Sequence, residues 1–262
     1  MINKITYQIK SKLLQRSVEI EMYVPTQRLE NLRMNLLLVN DGQDLAAMNL
    51  EHTLSELYEK RKIEPVVVIG IKAGIERTQE YGVANRPDFK GRGLKAHLYT
   101  SFVMEELLPF IHKHVPVTVN GKKAFAGFSL GGLTAFDVAW NNDDFFDVVG
   151  VFSGSFWWRK KDLSDNYTDA DRVLHEMVKE STSKPSLKFW LMAGTEDETA
   201  DRNQNFIIDS IDDTIDVIKE LMHKNYSRPD DIRYYEMVGG KHDVATWGLA
   251  MPKFLEWAFA RF

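Results

Sequence analysis

A chain of 262 residues is long enough to bury a sizeable core and suits one large α/β domain spanning residues 1–262. Its formal net charge of −5 argues against a nucleic-acid partner or an anionic membrane surface, while 44% hydrophobic and 27% charged residues are ordinary for a globular protein and leave both enzyme and binding protein open. With no cysteine at all, disulfides, thiolate metal sites and cysteine nucleophiles are excluded, and a reducing compartment is permitted.

The amino terminus, Met1 to Lys10, has no continuous apolar segment followed by a small-residue cleavage site, and no window reaches the roughly 18 to 20 apolar residues of a membrane span. A cytoplasmic protein without a membrane partner is expected. Thr6–Lys10 and Val18–Val24 alternate apolar and polar residues, which predicts an antiparallel pair of half-exposed strands at a sheet edge. Leu36–Val39 and Pro65–Ile71 are instead continuous apolar runs, as in strands covered on both faces. Leu50–Lys62 between them has helical periodicity, so strand–helix–strand repeats begin here.

The first of these buried strands ends in Asn40-Asp41-Gly42-Gln43-Asp44, a polar loop at the carboxyl end of a parallel strand, where such sheets bind ligands. If a serine nucleophile lies further along, this loop is where its second oxyanion donor belongs, and the backbone N–H of Gln43 is the candidate. Lys72–Leu94 then reads as a long surface loop, with Arg77, Glu80 and Tyr81 as a candidate local ion pair on the wall of a pocket. His97–His114 carries a buried helical stripe.

Ala126-Gly127-Phe128-Ser129-Leu130-Gly131-Gly132 places a Gly-x-Ser-x-Gly pattern between an apolar run, Lys122–Ala126, and an amphipathic one, Leu133–Trp140. Strand, sharp turn and helix are the context of a nucleophile elbow, in which Ser129 Oγ stands exposed above the sheet and the N–H of Leu130 faces the same space. The strand Asp147–Phe152 follows and ends in Ser153-Gly154-Ser155-Phe156-Trp157-Trp158. Successive side chains in extended backbone point to opposite sides, so at least one of these three aromatics should line a cleft; Trp157 and Trp158 are the candidate substrate contacts. Asp169–Ser181 reads as a modest helix, too short to be a cap domain.

After the strand Leu187–Ala193 come Gly194-Thr195-Glu196-Asp197-Glu198, and a carboxylate directly after a late strand is where a triad acid belongs. Glu196, Asp197 and Glu198 compete; Asp197 is preferred because a Gly-x-x-Asp turn sets a short carboxylate just above the strand end. Asp201–Asp212 has oxygen-bearing residues at positions one, three, five, nine and twelve of a calcium-loop pattern, but Phe206 stands where the turn needs glycine and Asp212 where a bidentate glutamate is usual. No metal is assigned to it. Arg233–Val238 is the last strand, Gly239-Gly240-Lys241-His242-Asp243 the loop after it, and Thr246–Phe262 a closing helix. His242 is the third member in the chain order serine, acid, histidine.

Asn40–Asp44, Arg77 with Glu80-Tyr81, the Gly127–Gly132 elbow, Ser153–Trp158, and Gly239–Asp243 with Trp247 together resemble the esterase branch of the α/β-hydrolase superfamily that includes esterase D (S-formylglutathione hydrolase), enterochelin-esterase-like and feruloyl-esterase-like proteins. The resemblance covers nearly the whole chain. It implies a doubly wound, mostly parallel α/β-hydrolase sheet with an antiparallel amino-terminal edge and no large cap domain. It also implies a nucleophile at Ser129, a base at His242, an acid in the Gly194 turn and no cofactor. The expected activity is hydrolysis of a small-molecule carboxyl ester, with short acyl or aryl groups, through an acyl-enzyme. Acyl transfer, thioester hydrolysis and siderophore-ester hydrolysis are alternatives on the same three residues, and a non-catalytic binding module is a further one.

Overall fold

The computed structural model describes residues 2–26, 33–115 and 117–261. β1 (Ile2–Ser11) and β2 (Arg16–Pro25) form the expected antiparallel pair, with Ile5 opposite Met22, but only β1 is a half-exposed edge strand: β2 also pairs with β4 and is buried from Ile20 to Pro25. β3 (Asn35–Asn40), β4 (Val66–Ile71), β5 (Lys123–Phe128), β6 (Val148–Phe152), β7 (Lys188–Glu196) and β8 (Ile232–Lys241) complete one eight-stranded sheet. Its order is β1-β2-β4-β3-β5-β6-β7-β8; β2 meets β4 antiparallel, and every pairing from β4 through β8 is parallel.

The continuous apolar runs are explained by cover on both faces. Leu36 and Leu38 of β3 join one core with Phe125, Val149 and Val151, while Leu37 and Val39 join a second with Ala124, Ala126 and Val148. Each buried Leu or Val side chain is worth about 1.5–3 kcal/mol relative to exposure, so a polar residue on either side of these strands would be costly. The second face is closed by α1 (Leu50–Glu59) and α8 (Val244–Phe259) through Leu54, Leu57, Met251 and Phe254. Cover on the first face comes from a continuous helical segment of α3 (Ala96–Ser101), a π-helical turn (Phe102–Leu107) and α4 (Leu108–His114), together with α5 (Leu130–Trp140), α6 (Val173–Glu180) and α7 (Asp209–His223). Between β6 and β7 there is only a 3-10 turn, Asp169–Asp171, and the eight-residue α6, so no large cap stands over the sheet.

Three further expectations are corrected. β7 and β8 continue to Glu196 and Lys241, so the loops after them are shorter and Asp197 and His242 follow their strands directly. The segment after β4 is not simply a surface loop: Glu80 and Tyr81 are fully buried, around a short helix α2 (Arg77–Glu80). It is pinned to α5, because Gly82 N–H donates to Thr134 Oγ1 (2.8 Å) and Ala84 N–H to Asp137 Oδ2 (2.9 Å). The closing helix starts at Val244 and ends at Phe259, and Phe262 lies outside the described residues.

Candidate active site

Ser129 sits between β5 and α5 with φ 53° and ψ −123°, a backbone conformation that L-residues avoid and that costs on the order of 1–3 kcal/mol. The turn is possible because Gly127 has no side chain: a Cβ there would lie 2.3 Å from the carbonyl oxygen of Gly131. Ser129 N–H donates to Phe152 O at 2.9 Å, which locks the elbow to β6 and leaves the side chain half-buried at the carboxyl end of the sheet. Leu130 is the first residue of α5, so its N–H has no acceptor within the helix and lies at the positive end of the helix dipole.

A second close crossing brings the other two candidates together. A Cβ on Gly194 of β7 would lie 2.3 Å from Gly240 O of β8, so only glycine lets the two strand ends pass, and a bulge at Gly194/Glu196 turns the chain there. Asp197 accepts from Gly194 N–H (3.0 Å) and Ser210 Oγ (3.4 Å) on Oδ2, and from Ser153 Oγ (3.0 Å) on Oδ1. Burial raises its pKa, and these hydrogen bonds with the nearby His242 pull it back. The rivals are placed differently. Glu196 is exposed, 4.0 Å from Lys241, whereas Glu198 is half-buried beside Asp209 at the start of α7, with a pKa raised by burial and by that neighbour's charge.

His242 presents an exposed edge to solvent, yet the protein around it desolvates the imidazole enough to lower its pKa; Asp197 raises it and the Arg77 guanidinium lowers it further. Its ring meets Trp247 edge-on at 5.2 Å, and Trp247 stacks at 5.2 Å on Phe128, the residue before Ser129. Trp247 Nε1–H donates to Ser153 Oγ (3.0 Å), the hydroxyl that donates to Asp197. Ser153 and Trp247 thus tie the acid, the imidazole and the elbow into one unit. Sequence reasoning did not assign them roles, although a serine on each side of a glycine at a strand end was a visible signal.

On the other side of Ser129, Asp41 takes a left-handed conformation, φ 59°, and opens the 3-10 turn Gly42–Asp44 that carries the exposed Gln43. Arg77 holds the Asp41 carboxylate bidentately, and the Asp41 N–H donates to Tyr81 OH (3.3 Å). Asn40 Nδ2 donates to Gly131 O (2.8 Å) and its Oδ1 accepts from Tyr99 OH (2.5 Å), which fixes this loop against the first turn of α5. The backbone N–H groups of Gln43 and Leu130 are carried by these two joined segments. The expected local pairing of Arg77 with Glu80 is replaced: Glu80 binds Arg16 of β2 through two hydrogen bonds, 2.7 and 2.6 Å.

Of the two tryptophans, Trp157 is half-buried and presents surface, with the Arg92 guanidinium 4.7 Å over its ring. Trp158 is completely buried, its Nε1–H donating to Arg86 O (3.0 Å) and its ring filling the space beside Gly82 and Gly93. It is core, and the expectation that it lines the cleft is corrected. The acids of the calcium-like loop are occupied by the chain itself. Asp201 accepts from Asn205 and Phe206 N–H, Asp212 from the Asn203 and Asn205 amides, and among the described residues no group of three or more His, Cys, Asp or Glu is arranged to hold a metal. An apolar cleft of about 520 Å³ lined by Leu36, Ile111, Val119 and Phe145 opens at the opposite end of the strands and contains none of these residues.

This strand order, with a strained serine between β5 and α5 and with an acid and a histidine at the ends of β7 and β8, defines a protein of the α/β-hydrolase fold. The chain belongs to the esterase family, whose model, described as "Esterase: Putative esterase", matches residues 11–258. No curated protein matches it. Solved structures of the same fold include the enterobactin esterase FES from Shigella flexneri in the presence of enterobactin, with a TM-score of 0.74 and 21% identity over 98% of this chain and 58% of that one. The chain therefore spans a little over half the length of that enzyme. A ferulic acid esterase has a TM-score of 0.71 and 17% identity, covering 99% of this chain and 98% of its own. The BES protein from Bacillus cereus has 0.70 and 20%, with coverage of 99% and 95%. Among the described residues no helix is long and apolar enough to cross a membrane.

Proposed function

We propose that the chain is a serine esterase acting on small carboxyl esters through an acyl-enzyme, with Ser129 as nucleophile, His242 as base and Asp197 as orienting acid. The observation that carries this reading is the strained Ser129 elbow, a conformation with a standing energetic cost that a mere strand-to-helix turn would not need. Ser129 Oγ attacks the acyl carbon while its proton passes to His242. The imidazolium then protonates the departing alcohol, and water repeats the sequence to release the acid. The N–H groups of Leu130 and Gln43 hold the oxyanion, each worth about 3–4 kcal/mol in the transition state. Asp197 is favoured over its neighbours because its carboxylate is the one shared with Ser153 and electrostatically coupled to His242.

Trp157, partly exposed beside Arg92 with no cap above it, supports an open cleft with an aromatic wall, suited to short acyl or aryl esters rather than long chains. A catecholate siderophore lactone is the second reading, supported by the likeness to the enterobactin esterase. A cytoplasmic location belongs to the same proposal and is compatible with a chain free of cysteine. The test is a panel of p-nitrophenyl esters of increasing chain length, run beside methyl ferulate and a catecholate siderophore. Short-chain or aryl esters should give the highest kcat/KM; a kcat/KM that climbs steadily to long chains contradicts the open cleft, and a preference for the siderophore favours the second reading.

A further inference from the structure

Ser155 is a buried hydroxyl that the three proposed catalytic residues do not account for. It is 2% exposed, its Oγ lies 3.3 Å from Ser129 Oγ, and its N–H donates to Ser129 O at 3.1 Å. The residue is therefore tied to the elbow twice, once through backbone and once through the reacting atom. Among the described residues Ser129 Oγ is the one hydrogen-bond partner of Ser155 Oγ. Gly154 makes the approach possible, since a Cβ there would fall 2.5 Å from Val151 Cγ1. Ser153, two residues before, serves the acid in the same way, so the tripeptide after β6 touches both ends of the constellation.

Resting on the reading of Ser129 as nucleophile, we infer that Ser155 is a positioning residue that orients the Ser129 hydroxyl for attack. A buried hydroxyl uses its proton on an available acceptor, and among the described residues Ser129 Oγ is the acceptor at hand. With Ser155 donating, the Ser129 proton points away from Ser155 and is left for the base that the proposed reading assigns to His242. During acylation the Ser129 O–H bond breaks as the Oγ–acyl bond forms, and the proton goes to His242; Ser155 loses no proton and only holds the oxygen in place. A single neutral hydrogen bond is worth about a factor of ten in rate when it is made to the reacting oxygen and lost on truncation.

The experiment compares Ser155→Ala, Ser155→Thr and Ser129→Ala by melting temperature, by the rate of labelling with a fluorophosphonate per folded molecule, and by kcat and KM on a p-nitrophenyl ester. Ser155→Ala should fold, label and turn over about tenfold more slowly with little change in KM, and its pH–rate profile should drop without moving along the pH axis. Ser155→Thr, which keeps the hydroxyl, should recover most of the loss. Should Ser155→Ala fail to fold, Ser155→Cys, nearly isosteric with a weak donor, carries the same comparison. Wild-type labelling in Ser155→Ala, or a Ser155→Thr as slow as Ser155→Ala, overturns the inference while a silent Ser129→Ala leaves the esterase reading intact. A Ser129→Ala that still labels takes both down.

Discussion

Arg77 grips Asp41 through two parallel hydrogen bonds, Nε to Oδ1 at 2.6 Å and Nη2 to Oδ2 at 2.7 Å, and so fastens the segment after β4 to the loop that carries Gln43. The Asp41 side chain is 3% exposed and Arg77 31%, so removing the cation strands a buried carboxylate. Arg77→Gln should destabilise the fold by about 2–3 kcal/mol in urea unfolding, less than a fully buried pair would lose because Arg77 is partly hydrated. Lys at this position offers no planar fork and should recover only part of the loss.

The pH dependence tests the electrostatics around His242. A base must be neutral, so kcat/KM rises as pH passes through the imidazole pKa, which burial and Arg77 hold below its ordinary value. Deleting the Arg77 charge raises that pKa and should move the rising limb to higher pH. Asp197→Asn removes the charge that raises it and should move the limb to lower pH, with kcat down by roughly 10³–10⁴-fold and little change in stability. Glu196→Gln and Glu198→Gln should leave kcat within about a factor of two. A crippled glutamate variant beside an active Asp197→Asn would reassign the acid.

The two tryptophans should separate cleanly. Trp158→Ala empties a fully buried site and should cost about 3–5 kcal/mol of stability. Trp157→Ala should cost much less and instead raise KM for aryl esters several-fold more than for acetates. Equal effects on acetate and aryl esters would remove Trp157 from the substrate wall.

Asp137 gives a stability signature independent of catalysis. It is buried in α5, accepting from Ala84 N–H and Asn141, and burial pushes its pKa up to about 6. An acid whose folded pKa is raised favours the folded state most when protonated, so its contribution declines as pH rises from about 4 to 6 and is constant above. Relative to Asp137→Asn, which stays neutral, the wild type should lose about 2–3 kcal/mol over that interval. Parallel stability curves for the two proteins would contradict this.

The order of strands and helices was legible because each core strand is a local apolar run, and the elbow because its glycines and serine are contiguous. Asp197 and His242 were legible as residues at strand ends, but their approach depends on Gly194 and Gly240, distant in sequence and pressed together only by the β7–β8 pairing. Arg77 with Asp41 and Glu80 with Arg16 are pairs 36 and 64 residues apart, and nothing in local charge spacing selects them over the adjacent Arg77 and Glu80. Alternation predicts that Trp157 and Trp158 point to opposite sides, yet it does not say which side is core. That was decided by the room that Gly82 and Gly93 leave for the Trp158 ring.

The most direct test of Ser129 as nucleophile is mass-spectrometric mapping of the fluorophosphonate adduct on the wild-type protein, with Ser129→Ala labelled in parallel. One adduct on Ser129 and none on the variant is the result expected from the strained elbow. An adduct on another residue, or undiminished labelling of Ser129→Ala, would contradict it.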